Sequence, residues 1–288
     1  PKATPRQRLV ISQYMGLLIN STICELENAL ERSKTECWVN LIRKYPVNPE
    51  FIALGEEFFK DEKKHSDVFN KFLKMFAEET NVTYQELQSL LPVLDKSKIE
   101  SLFRVNSIVG GQALWWVVAA VEEESIMVYK HMHKFKKNLD PLFYEIHRRH
   151  FEEETRHAAY AFLMLDLFRR RANSPVNLLA KKLDFIFSEI LQITWIMKEL
   201  LKLINVKKLA DRHPFYKTLE EALPMISEFS PNEIIQKLFL EDPYISMILN
   251  PRNNKNLQES IDQIGSFTIS RGTPDKVDLT IGSEREVG

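Results

Sequence analysis

Apolar residues recur at three- and four-residue intervals through most of this 288-residue chain, and only eight glycines interrupt them. That period belongs to α-helices with one buried face. It predicts long helices over Arg6–Tyr45, Pro49–Glu79, Lys98–Lys137 and Pro141–Arg171, with a short one over Tyr84–Leu91. Beyond them it predicts a strongly apolar helix over Val176–Ile204 and two shorter ones over Phe215–Leu223 and Pro231–Leu240. Several starts are marked by a capping residue followed by proline at the first helical position: Asn48-Pro49, Asp140-Pro141, Ser174-Pro175 and Ser230-Pro231. Capping boxes are spelled at Ser97 with Glu100, Thr83 with Glu86 and Ser230 with Glu233. After Asn250 the period fades, and SFTISRGTPDKVDLTIG alternates only weakly, as a small hairpin or tail would. The expected organisation is therefore an all-α domain over 1–249 and a tail over 250–288.

The four long helices are joined by tight links within each half, which predicts a four-helix bundle built from two helix pairs with additional C-terminal helices. The two halves can be superposed in sequence. Aligning FFKDEKKHSDVF (58–69) with HFEEETRHAAYA (150–161) places Glu62 on Glu154, His65 on His157 and Phe59 on Phe151. Each half thus carries Glu-x-x-His on its second helix. In HFEEETRH, with His150 at 0°, Glu154 falls at about 40° and His157 about 20° to the other side, so all three project from one stripe. In bundles that hold two metal ions, the other two helices each supply one glutamate. On the first helix Glu27 lies beside the apolar face of Ile23, Leu26, Leu30, Cys37 and Leu41, whereas Glu25 points away. On the third helix Glu122, Glu123 and Glu124 follow one another. Pseudo-two-fold symmetry favours Glu122, which is offset in the same sense as Glu27, although a π-bulge would rotate the triplet.

Four carboxylates in a dry interior are tolerable only if cations balance them, and imidazoles add neutral donors while leaving positions open for dioxygen. The halves differ at one place: where the first has Phe58 the second has His150, a third histidine set asymmetrically. In this order, Glu27, Glu62 with His65, Glu122, and His150 with Glu154 and His157 resemble the ligand set of the non-haem di-iron N-oxygenases of the p-aminobenzoate N-oxygenase type. The resemblance extends over roughly residues 10 to 210 and leaves the C-terminal third unaccounted for. It implies a ferritin-like bundle holding two iron ions at those seven side chains, with manganese as the alternative metal. It further implies dioxygen as co-substrate, an external electron donor, and oxidation of an arylamine through hydroxylamine and nitroso stages to the nitro compound. Two other functions fit a dinuclear site: a hydroxylase or desaturase acting on a C–H bond, and a ferritin-like iron-handling protein.

Composition narrows the partners. Hydrophobic residues make up 44% of the chain, enough for a substantial core, and the formal net charge is −1. No basic cluster competes for phosphates, so no nucleic-acid partner is expected. With no signal peptide and no unbroken apolar run of eighteen residues, neither a membrane partner nor a location other than the cytoplasm is expected. Cys24 and Cys37 lie too far apart on one helix to bridge and read as reduced core thiols. The exposed apolar face expected of LDFIFSEILQITWIM points to a homodimer. Trp115 and Trp116 read as packing residues, His131, His133 and His147 as exposed, and Tyr129 and Tyr160 as neighbours of the ligands.

Overall fold

The computed structural model describes residues 3–91, 101, 104, 112–169 and 203–227. Every regular element among them is helical, in agreement with the all-α class expected from the periodicity. The apolar Val176–Ile204 segment, except its last two residues, lies outside the described residues, as do the Pro231–Leu240 segment and the 250–288 tail.

Helix α1 (Pro5–Arg32) opens on a capping box that the sequence reading overlooked. Thr4 accepts from the Gln7 amide at 3.2 Å, while the Gln7 side chain accepts from the Thr4 amide at 2.9 Å. The expected run to Tyr45 is interrupted: after Ser33 the chain makes a π-turn over Thr35–Val39 and then one last helical turn, Asn40–Ile42. A π-turn admits one extra residue per turn and so changes the face that the following side chains present. Here it coincides with the burial of both Cys37 and Trp38. Cys24 and Cys37 are both buried and unbridged.

Helix α2 (Pro49–Glu79) starts where Asn48 accepts from the Phe51 amide at 2.7 Å, and the short α3 (Tyr84–Gln88) starts on the Thr83–Glu86 capping box. Helix α4 (Gln112–Lys134) is followed by α5 (Pro141–Arg169), which begins where Asp140 accepts from the Phe143 amide at 2.9 Å. A 3-10 turn (Leu203–Leu209) leads into α6 (Pro214–Ser227).

Helices α1 and α2 form one antiparallel pair, α4 and α5 form another, and α2 packs on α5. Helix α6 covers α1. Helix α1 is long and apolar enough to cross a membrane by composition alone. In this chain it buries Asn20, Ser21 and Glu27 and runs along α2, which is the environment of a core helix.

The apolar interior is divided. At one end Trp38, Phe58, Phe59, Trp115, Tyr160, Met164 and Phe168 pack together. At the other, Val10, Tyr14, Leu17, Leu73, Leu90 and Leu91 pack with Phe215, Tyr216 and Leu219. A layer of buried acids and histidines lies between them, against the small cluster of Ile23, Cys24 and Phe69.

Candidate metal centre

All seven side chains named from the sequence are buried in that layer: Glu27 from α1, Glu62 and His65 from α2, Glu122 from α4, and His150, Glu154 and His157 from α5. They form three interlocking sets, in each of which the donor atoms lie within 4.8 Å of one another. Glu27, His65, His150 and Glu154 form one set, Glu62, His65 and His157 a second, and Glu122, Glu154 and His157 a third. His65, Glu154 and His157 each belong to two sets, so the sets form one continuous cluster. Within the acidic triplet, Glu122 turns inward and Glu123 is half-buried. The side chain of Glu124 lies outside the described residues.

The separations are those of groups converging on a common point. His150 Nε2 lies 2.9 Å from Glu27 Oε1 and 2.8 Å from Glu154 Oε1. His157 Nδ1 lies 2.9 Å from Glu62 Oε1, 3.6 Å from Glu154 Oε1 and 4.0 Å from Glu122 Oε2. His65 Nδ1 is 3.4 Å from Glu154 and 3.6 Å from Glu27. Several of these atoms are nevertheless without a hydrogen bond: Glu27 Oε2, Glu62 Oε1, His65 Nδ1, both Glu154 oxygens, and both ring nitrogens of His157. Buried polar atoms are ordinarily satisfied. A cluster in which carboxylate and imidazole lone pairs are close, unaligned for hydrogen bonding and cut off from water fits a bound cation, which would accept them all.

The electrostatics agree. Burial, then the charges of Glu62 and Glu154, hold the Glu27 carboxyl well above its usual range. Burial pushes Glu154 up to about 7, against the pull of its contact with His157. Burial opposes a charge on His157, yet contacts with Glu154 and Glu62 raise it to about 10. His150 falls well below its ordinary value through burial and then through the neighbouring His65, His147 and His157. His65 is lowered by burial in spite of Glu62 and Glu153. Carboxylates that hold protons this strongly in a dry cluster lack positive charge, and an entering cation supplies it by displacing those protons.

Two acids that the sequence reading passed over complete the surroundings. Glu153 Oε2 lies 2.5 Å from His65 Nε2, and Asp61 Oδ2 lies 3.5 Å from His157 Nε2. The arrangement is crossed, since each acid precedes the glutamate of its own helix and faces the histidine of the other. Each histidine thereby turns Nδ1 to the cluster and Nε2 towards a carboxylate; for His65 the contact is a hydrogen bond, which fixes the ring and strengthens it as a donor, whereas Asp61 only approaches His157. The sequence carried a signal for this, because the alignment that pairs Glu62 with Glu154 also pairs Asp61 with Glu153.

His147 corrects an expectation. It was read as exposed, but it is buried, with Nε2 2.7 Å from Asn20 Oδ1, and burial lowers it to about 3. At three residues before His150 it lies about 60° from that side chain, on the side of Glu154. Tyr160 packs beside the cluster in the aromatic end, and Phe58 lies between its ring and that of His157. Tyr129 stacks on Phe151 at 4.4 Å, and exposed His133 meets Tyr144 at 2.6 Å. Trp115 is buried and donates to the Cys37 carbonyl at 2.8 Å. The side chains of Trp116 and His131 lie outside the described residues.

No known protein family, characterised protein or solved structure matches this chain. The class that fold and site define is therefore a helical protein with a buried Glu/His cluster able to take metal.

Proposed function

We propose that this chain is a ferritin-like, dioxygen-activating di-iron oxygenase that oxidises an amine nitrogen. The observation that carries the reading is the third imidazole. His150 Nε2 stands between Glu27 and Glu154, beside a cluster that already holds His65 and His157. Seven buried side-chain donors exceed the six positions of one octahedral ion, and they fall into three donor sets rather than one, which supports two ions. Glu154, the carboxylate that belongs to two sets, would help to hold either ion. Bound iron would supply dioxygen binding and the electrons for oxygen transfer, with an external reductant restoring the starting state.

The protein's own residues have separate tasks in this reading. The four glutamates would neutralise the ions, while Glu153 holds His65 in the tautomer that presents Nδ1 inward and Asp61 places a negative charge beside His157. Phe58, Trp115 and the rest of the aromatic end keep water from that side of the cluster. His150 would add a neutral donor on the Glu27 side of the cluster, where the other side has Phe58, and so make the two positions unequal. A site used only to take up and release iron has no evident need for that inequality.

The test is turnover of 4-aminobenzoate by iron-loaded protein with dioxygen and a reductant, with products separated by mass. Hydroxylamino, nitroso or nitro products are expected. Iron oxidation with mineral loading and no organic product would establish an iron-handling protein instead. Oxidation at carbon alone would place the chain with the hydroxylases.

A further inference from the structure

We infer that Tyr129, Tyr144 and His133 form an exit for oxidising equivalents from the metal cluster, in which Tyr144 yields an electron towards the iron and a proton to His133. The inference rests on the proposed oxygenase reading, which supplies the oxidant, and concerns what the chain does with it when no amine is bound.

The three side chains meet where α4 ends and α5 begins. Tyr144 Oη lies 2.6 Å from His133 Nδ1 and 3.1 Å from Tyr129 Oη, and Tyr129 Oη lies 3.4 Å from the same nitrogen. Two phenols and one imidazole nitrogen thus close a small triangle, in which both tyrosines are half-buried and His133 is exposed. Helix geometry ties the triangle to the cluster. Tyr129 follows Glu122 by seven residues, which puts it within about 20° of the same stripe and about 10 Å further along α4. Tyr144 and Phe151 share a stripe of α5 at the same spacing, and the Tyr129 ring lies against both of them. It stacks on Phe151 at 4.4 Å and stands 5.9 Å from Tyr144 at 30°. Phe151 is the residue next to His150, whose imidazole belongs to the cluster. A column of rings therefore leads from beside the cluster to an exposed base.

A phenol that loses an electron becomes a strong acid, so a tyrosine is oxidised readily only where a base is placed to take its proton. Tyr144 has one in His133 Nδ1, which accepts when the imidazole carries its proton on Nε2. Burial, and then the hydrogen bond to Tyr144, push the Tyr129 phenol up to about 12. Tyr129 therefore keeps its proton and donates to Tyr144, which donates in turn to His133. The other tyrosine near the cluster lacks this arrangement. Tyr160 accepts from Trp38, and among the described residues nothing accepts its own proton. In the inferred step one electron leaves Tyr144 by way of Tyr129 and reduces by one an iron centre that dioxygen has oxidised. The O–H bond of Tyr144 breaks and an N–H bond forms at His133 Nδ1. The external reductant then supplies one electron to the tyrosyl radical, and His133 returns the proton. Oxidising equivalents that no amine consumes are thereby drawn away from the side chains around the metal.

The experiment loads the full chain with iron(II), mixes it with dioxygen in the absence of amine, and reads freeze-quenched samples by electron paramagnetic resonance. An organic radical should appear whose signal narrows when the protein is made with ring-deuterated tyrosine. In Tyr129→Phe with Tyr144→Phe that signal should be lost, and peptide mass analysis after repeated cycles should show more oxygen added to residues around the metal. His133→Gln changes an exposed side chain and leaves both phenols in place. There the radical should form at least about tenfold more slowly, the order lost with a positioned proton acceptor. Iron content and helical circular dichroism should match the unaltered protein in both variants. If dioxygen oxidises the iron and no tyrosyl radical forms at any quench time, this inference fails and the oxygenase reading stands. A radical undiminished in the double variant would place the oxidation elsewhere, and an unchanged rate in His133→Gln would show that His133 takes no proton; either result overturns the inference. If the chain takes up no iron, or its iron(II) does not react with dioxygen, the oxygenase reading fails and this inference with it.

Discussion

Trp38 Nε1 donates to Tyr160 Oη across 2.5 Å, and Gly55 is the residue that lets the two side chains meet. A Cβ at Gly55 would lie 2.3 Å from both the Trp38 ring and the Tyr160 hydroxyl. Replacing a helical glycine by alanine ordinarily gains about 1 kcal/mol. Here overpacking outweighs that gain, and Gly55→Ala should destabilise the protein by roughly 1 to 3 kcal/mol. Urea unfolding checks this. A lower midpoint at unchanged slope is expected, and a raised midpoint would mean that the Trp38–Tyr160 contact does not form.

The crossed acids make a second prediction. Glu153→Ala frees the outer nitrogen of His65 while leaving all seven inward donors in place. Metal affinity should fall by about 10- to 100-fold, the usual effect of losing a partner that orients a ligand. Competition against a chelator of known affinity measures it. Unchanged affinity would mean that Glu153 does not position His65.

What the sequence made legible was largely periodic or capped. Asn48, Thr83 and Asp140 named helix starts because a short polar side chain before a helix has one main use. Glu27 could be picked from its acidic neighbour by angle, and Glu122 by angle together with the pseudo-two-fold symmetry of the halves, and both are buried. The π-turn at Thr35–Val39 was not legible, because a single extra residue leaves no mark in a hydrophobic pattern. Nor was the crossing of Asp61 and Glu153, which depends on how α2 and α5 lie against each other rather than on either helix. His147 was misread for a simpler reason. Its angle placed it on the inner stripe, but its partner Asn20 lies 127 residues away.

His147 gives a pH prediction. Burial holds it near 3 in the folded chain, against about 6.5 when unfolded, so folding favours its neutral form. Its contribution to stability is complete above pH 6.5 and is lost as pH falls from there towards 3, because the unfolded chain then binds the extra proton. His147→Gln abolishes that dependence. The stability difference between wild type and variant, both metal-free in chelator, should shrink by about 2 kcal/mol from pH 7 to pH 5. A constant difference would show that His147 is not held neutral.

His150→Phe copies Phe58, its counterpart in the first half, and isolates the third imidazole. Six donors remain, so most metal should stay bound and the stability cost should be about 1 to 2 kcal/mol. Oxygenation should fall by at least about tenfold, the order lost when one positioned group leaves a reacting site. Stopped-flow mixing of the reduced protein with dioxygen, at equal iron loading, provides the comparison. Identical traces would place His150 outside the reacting metal's surroundings.

The central claim is that Glu27, Glu62, His65, Glu122, His150, Glu154 and His157 together hold two metal ions. Its most direct test is metal analysis of the full chain produced with ample iron, desalted and measured against protein concentration. The account predicts close to two irons per chain, falling sharply in Glu154→Ala because that residue belongs to two of the three donor sets. A content near zero or one in the folded, unaltered protein, with manganese also absent, would contradict it.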